Sequence, residues 1–168
     1  MKDRKGTKLS KAVTVAACVI ILITVLFQTV VGMAVVKGNS MSPFYKDGDL
    51  VIYLRVDRQY EAGDVILFHG IEDKDYIKRV VGVPGDRVYI DQRTETVYVN
   101  DTELKETSVL TGTKSKDFVD YPVTLQEGEY FVLGDNRADS VDSRNFGVVT
   151  AKQIMGRELI TFGKNRRF

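Results

Sequence analysis

The chain contains one histidine, His69, and one cysteine, Cys18. A lone cysteine excludes an internal disulfide and a cysteine metal cluster. A lone histidine excludes the paired-histidine spacing of a metal hydrolase. His69 follows an apolar run and precedes Gly70, with no serine and carboxylate set around it, so it reads as a surface residue at a strand end. Gly82-Val83-Pro84-Gly85 has neither the lysine nor the spacing of a phosphate loop. A formal net charge of +1 leaves no global field that would draw nucleic acid. Charge is missing altogether from Ala12 to Val36.

That uncharged stretch is the first positive signal. A helix over residues 12–36 would run roughly 37 Å, against a hydrocarbon core of about 30 Å. It has no polar face, which argues against a buried core helix. Gly32-Met33-Ala34 offers a small-x-small ending, but the apolar run is too long for an ordinary cleaved signal. Lys2, Arg4, Lys5, Lys8 and Lys11 precede it with Asp3 as the only acid, and such a cluster stays in the cytoplasm. The sequence therefore predicts a cytoplasmic basic tail (1–11), a transmembrane anchor (12–36) and an extracytoplasmic domain (37–168).

The domain reads as mostly β. Short β-branched and aromatic runs recur at Leu50–Leu54, Val65–Phe68, Val80–Val83, Val88–Ile90, Val97–Val99, Tyr130–Leu133 and Leu159–Phe162. Gly-Asp pairs at 48–49, 63–64, 85–86 and 134–135 punctuate them. Asn100-Asp101 predicts a hairpin turn. Residues 102–127 read as a polar surface excursion with one strand near Phe118–Tyr121. Thr150–Met155 is the candidate for one short helix, with Thr150 as N-cap. Lys164–Phe168 reads as a solvated basic end.

A serine nucleophile without a histidine needs another base, and lysine is a known one. A lysine must be neutral to accept the proton, which near neutral pH requires its pKa to fall roughly 3 units from about 10.4. Burial among apolar neighbours does this. Lys78 sits between Ile77 and Val80-Val81, and strand alternation puts it on the face of Tyr76 and Val80, opposite Ile77 and an outward-pointing Arg79. From pattern alone an ordinary exposed Lys-Arg pair fits as well, and Gly38-Asn39-Ser40 before Ser42-Pro43 also makes a plain turn.

Three stretches taken together resemble the type I signal peptidase (leader peptidase) family, in its compact bacterial form. Gly38-Asn39-Ser40-Met41-Ser42-Pro43 is similar to the nucleophile motif. Tyr76-Ile77-Lys78-Arg79-Val80-Val81-Gly82-Val83-Pro84-Gly85-Asp86 is similar to the lysine motif. Gly134-Asp135-Asn136-Arg137, then Ser140, Asp142-Ser143-Arg144 and Gly147, are similar to the third. They occur in family order behind a basic start and one anchor.

The resemblance implies a mostly β, signal-peptidase-like catalytic domain behind a transmembrane helix. It implies Ser40 as nucleophile, Lys78 as general base and Ser140 as the residue that hydrogen-bonds and aims Lys78. The Ser40 N–H would donate to the oxyanion. Val36, Gly38, Met41, Tyr76 and Ile77 would contact substrate, with Val36, Met41, Tyr76 and Ile77 lining a shallow pocket for the small residue before the cut. Asp142 and Arg144 would form a structural ion pair. No metal and no cofactor is implied. Some family members carry a serine two positions before the nucleophile; with Gly38 here, backbone or water would complete the oxyanion hole. Threonine is common after the motif proline, and Phe44 replaces it.

The expected activity is removal of N-terminal signal peptides from exported precursor proteins after small-x-small sites, by a monomer bound to membrane lipid. Two alternatives belong to other classes: a non-catalytic or specialised pilus-assembly relative on the same scaffold, and a self-cleaving Ser-Lys repressor, which would need a DNA-binding segment in place of the anchor.

Overall fold

The computed structural model describes residues 3–56, 59–105, 112–116 and 118–163. The chain opens with a helix, α1 (Asp3–Val30). Within it Lys11–Val30 is long and apolar enough to cross a membrane, and none of that span is buried against the rest of the chain. Val15, Ile21 and Leu22 are all more than half exposed. An apolar surface that packs on nothing among the described residues is compatible with a membrane-crossing helix.

The apolar run outlasts the helix. Val31–Val35 leaves α1 to form strand β1, where the sequence pattern predicts helix through Val36. Thr29, Val30 and Val31 are β-branched, and β1 is paired along its length with β2 (Leu50–Leu54). Gly32 lies opposite Tyr53 in that pairing, and the Tyr53 ring fills the space where a Cβ at residue 32 would stand. The Arg55 N–H donates to the Val30 carbonyl at 2.9 Å, so pairing begins where the helix ends. Backbone pairing with β2 therefore decides a stretch whose composition suits either state.

The remaining strands are β3 (Val65–His69), β4 (Asp75–Gly82), β5 (Arg87–Asp91), β6 (Thr96–Val99), β7 (Thr102–Glu103), β8 (Val123–Thr124), β9 (Glu129–Leu133), β10 (Val149–Thr150) and β11 (Ile154–Phe162). They form a seven-stranded sheet in the order β1-β2-β11-β3-β4-β9-β10 and a four-stranded sheet in the order β7-β6-β5-β8. All pairings are antiparallel. The fold is thus mostly β with one long N-terminal helix, as the sequence predicts. One core cluster (Val81, Val88, Ile90, Phe131, Leu133) draws on strands of both sheets. Another gathers Val36, Met41, Val51, Tyr53 and Leu67 from β2, β3 and the segment after β1.

Asn100 and Asp101 both take positive φ (52° and 62°) and join β6 to β7 as the hairpin turn expected there. Two other local expectations fail. Thr150–Met155 is not a helix. The Gln153 N–H closes a turn onto the Thr150 carbonyl at 2.9 Å, and its side-chain oxygen accepts from the Thr150 N–H. That turn ends β10 and leads into β11. The short helix is instead α2 (Ser143–Phe146), capped by Asp142 and Asn145, whose side chains bond back to the helix start. The strand expected near Phe118–Tyr121 lies one step later, as β8 after Pro122. The basic end Lys164–Phe168 lies outside the described residues.

Candidate active site

Two elements bring the first and second motifs together. Ser40 sits on the turn that follows β1. The turn is tied down by the Val36 N–H to the Asp49 carbonyl (2.8 Å), the Gly38 N–H to Asp47 Oδ1 (2.7 Å) and the Ser42 N–H to the Asn39 carbonyl (3.0 Å). Lys78 lies on β4, and alternation turns it inward, as it does Val80. Its register partner on β3 is Ile66, fully buried. Lys78 is 3% exposed. Its Nζ is 2.7 Å from Ser40 Oγ and donates to the Ile77 carbonyl at 2.8 Å. The Tyr76 ring lies below the amine, with its centroid 5.6 Å away.

Burial lowers the Lys78 pKa to about 8, while the carboxylates of Asp142 and Asp135 act the other way. A lysine in this state is substantially neutral at mildly alkaline pH. The amine can then accept the Ser40 Oγ–H proton across the same 2.7 Å.

The third motif closes over the other two. The Asn136 N–H donates to the Ser40 carbonyl at 3.0 Å and its side-chain amide to the Asn39 carbonyl at 3.2 Å. Asn136 belongs to a quoted motif, but its clamp on the serine turn carries no signal in the sequence. Asp142 and Arg144 form a fully buried bidentate ion pair, 2.8 Å in both bonds. Burial alone would raise the Asp142 pKa. The Arg144 guanidinium, with help from the Gly134 N–H and Ser140, overcomes it and holds the carboxyl below its ordinary value.

Ser140 is buried close by, but its Oγ does not reach Lys78 in the expected hydrogen bond. Among the described residues that Oγ has no hydrogen-bond partner within ordinary geometry; it is enclosed beside Gly134, near enough to the Asp142 carboxylate to help lower its pKa. Ser40 and Ile77 occupy the amine instead.

Arg79 does not point to solvent as alternation suggested. It makes two hydrogen bonds to Asp135, of 2.8 and 2.7 Å, and one to the Gly63 carbonyl. Antiparallel pairing of β4 with β9 carries Asp135 to it, and no local pattern reports that contact.

A groove of about 920 Å³ runs beside the pair. Val36, Gly38, Tyr76 and Ile77 line it, together with Ala34 of β1. Met41 does not. It is 1% exposed and packs beneath, in the core with Val36, Val51 and Leu67. The turn after Ser40 folds back inward, so the next side chain is swallowed by the core. His69 ends β3, exposed, with Nδ1 2.6 Å from Asp75 Oδ1. Among the described residues, no group of histidine, cysteine and acidic side chains could hold a metal ion.

A family model described as "Signal peptidase, peptidase S26" matches residues 7–162. Signal peptidase IB of Staphylococcus aureus (strain COL) is 34% identical over 164 residues, covering 87% of this chain and 85% of that protein. Signal peptidase I of Bacillus caldolyticus is 38% identical over 139 residues, covering 73% and 74%. A crystal structure of a signal peptidase I from Enterococcus faecalis V583 is similar with a TM-score of 0.49 and 30% identity, over 59% of this chain and 96% of that one.

Proposed function

Since the chain belongs to the signal peptidase (peptidase S26) family, we propose that it removes signal peptides from exported precursors by a Ser40–Lys78 mechanism at the membrane surface. The observation that carries this reading is the 2.7 Å contact between Ser40 Oγ and the Nζ of a buried Lys78. It also weighs against a non-catalytic relative, which has no use for a buried lysine aimed at a serine.

Neutral Lys78 takes the Ser40 Oγ–H proton as the oxygen attacks the scissile carbonyl. The oxyanion receives the Ser40 N–H, and preorganised donors of this kind contribute about 3–4 kcal/mol each. The tetrahedral intermediate collapses as Lys78 returns the proton to the leaving amine, which departs as the new N-terminus of the mature protein. Lys78 then deprotonates a water, which attacks the Ser40 ester, and passes that proton to Ser40 Oγ as the acyl–oxygen bond breaks and frees the signal peptide.

The substrate lies in the groove as an added strand. The β1 strand is at the sheet edge, and β4 meets β9 only from Arg79 onward, which leaves the Asp75–Lys78 edge toward the groove. Side chains before the cut alternate toward the walls set by Val36, Ile77 and Tyr76, and small residues fit there. The anchor puts this groove where precursors emerge. Its membrane-crossing part ends at Val30, so Val31–Val36 belong to the peptidase domain, outside the cytoplasm. Tethering both partners to one surface raises their effective concentration without new contacts.

The test is cleavage of a purified exported precursor by the detergent-solubilised full chain, with products identified by mass spectrometry. A single cut after a small-x-small site, absent in Ser40→Ala and in Lys78→Ala, is expected. A cut that survives Lys78→Ala would discard lysine as the base.

A further inference from the structure

The polar excursion between β7 and β8 does not simply lie on the surface. Residues 112–116 of it cross the back of the third motif and hold it through Thr113, Lys114 and Lys116. Thr113 Oγ1 accepts from Arg137 Nη1 at 2.5 Å. The Lys114 carbonyl accepts from Arg144 Nη1 at 3.1 Å. Lys116 Nζ donates to the Ser140 carbonyl at 2.8 Å and to Asn145 Oδ1 at 2.9 Å. Thr113, Arg137 and Arg144 are all buried.

The Lys116 bonds fall at the two ends of the segment that matters. Ser140 stands between Asp139 and Val141, which line the substrate groove. Its own Oγ and the Ser40 carbonyl both crowd the α-carbon of Gly134. Asn145 Oδ1 also accepts from the Asp142 N–H at 3.2 Å, and the Asp142 carboxylate acts on Lys78. One ammonium thus ties the groove wall, the Ser140 residue and the cap that presents Asp142. Hydrogen bonds from a charged donor are the stronger kind.

We propose that Lys116 is a positioning residue for the Ser40–Lys78 pair, holding the Ser140–Asn145 segment closed against it from outside the three motifs. The inference rests on the peptidase reading. The ammonium is itself partly sheltered. Burial and Arg144 lower its pKa, Asp142 and Asp139 oppose them, and Asp91, Arg93, Asp120 and Tyr121 share the hollow beside it. A long cationic side chain is required there, for reach and for two donors to two oxygen acceptors. Arginine keeps both the charge and the donors, whereas methionine keeps only the stem. Loss of the tie lets water reach Lys78, whose lowered pKa depends on burial, and so moves that pKa up toward the ordinary lysine value.

The test uses the full chain in detergent micelles, as wild type, Lys116→Met and Lys116→Arg. Three quantities are read: precursor cleavage from pH 6 to 10, thermal unfolding, and the Lys78 titration by NMR of 13Cε-labelled lysine. Lys116→Met is expected to lose at least tenfold in kcat with KM changed less than threefold. The rising limb of its pH profile and the NMR titration of Lys78 should both move to higher pH, with the unfolding temperature nearly unchanged. Lys116→Arg is expected to recover most of the rate and the wild-type titration. Unchanged kcat in Lys116→Met, or a loss that follows unfolding with Lys78 titrating as in wild type, would overturn the proposal. The NMR titration separates the two readings: no cleavage by any of the three chains defeats the peptidase reading, while the Lys78 shift still decides whether Lys116 positions that side chain.

Discussion

Arg79 and Asp135 are locked together by two parallel hydrogen bonds of 2.8 and 2.7 Å, one residue beyond Lys78 along β4. The carboxylate is fully buried and the guanidinium 18% exposed. The pair does two things. It pins the end of β9, where Gly134 and Asn136 meet the serine turn, to the strand that carries the lysine. It also sets a negative charge near Lys78, which opposes the fall of the amine's pKa to about 8.

Asp135→Asn is expected to shift the pH-rate profile. In the wild type the cleavage rate should rise with pH through about 8, as Lys78 loses its proton. Removing the Asp135 charge takes away one influence that raises that pKa and leaves the Arg79 cation uncompensated beside it. Both changes act in the same direction, so the midpoint of the rising limb should move to lower pH. Steady-state rates across pH 6–10 check this, and a midpoint that stays put or rises would contradict the assigned electrostatics.

Lys78→Met should change stability in a pH-dependent way. The folded pKa is about 8 and the ordinary value 10.5. Below pH 8 both folded and unfolded wild-type chains hold the proton, and folding must bury a charge. Between the two values the unfolded chain binds more protons, so wild-type stability rises with pH and the full gain is present only above 10.5. The shift corresponds to roughly 3 kcal/mol. Methionine has no charge to bury, so its stability relative to wild type should decline by roughly 2–3 kcal/mol from pH 7 to pH 10. Chemical denaturation of both chains in micelles, followed by tyrosine near-UV circular dichroism, measures that difference. A difference independent of pH would mean that Lys78 titrates as an exposed lysine.

Gly134→Ala should abolish cleavage while the sheet still forms. A Cβ at this position would run into Ser140 Oγ and stand 2.5 Å from the Ser40 carbonyl oxygen. The backbone oxygen cannot yield as a flexible side-chain tip can, so the serine turn and the third motif must part. Circular dichroism close to wild type, with kcat down at least a hundredfold, is the expected result. Full activity would mean that these two segments need not touch.

Most of the strands are legible in the sequence because short β-branched and aromatic runs are bounded by turn residues. Leu50–Leu54 and Val65–Phe68 announce themselves, and the Asn100-Asp101 turn follows from two residues that tolerate positive φ. Legibility ends where local chemistry is neutral. Val31–Val35 suits helix and strand equally and becomes strand because β2 is there to pair with it. Thr150–Gln153 carries a good helix cap, yet it spans only the turn between two strands, and Gln153 satisfies Thr150 instead. Lys116 lies in a stretch without periodicity, and nothing around it predicts a bond to Ser140.

The sequence by itself determined the uncharged span behind a basic start, the β character of the domain, and the serine and lysine types on which the chemistry draws. These follow from composition and from short apolar runs punctuated by turn residues, which act over a few residues. Tertiary structure alone decided that Lys78 faces a serine 38 positions away, that Arg79 turns to Asp135, and that Met41 sinks into the core while its neighbour Ser40 stays at the groove. Those outcomes depend on strand order and register, which bring distant segments within hydrogen-bond reach and leave no trace in the residues beside them.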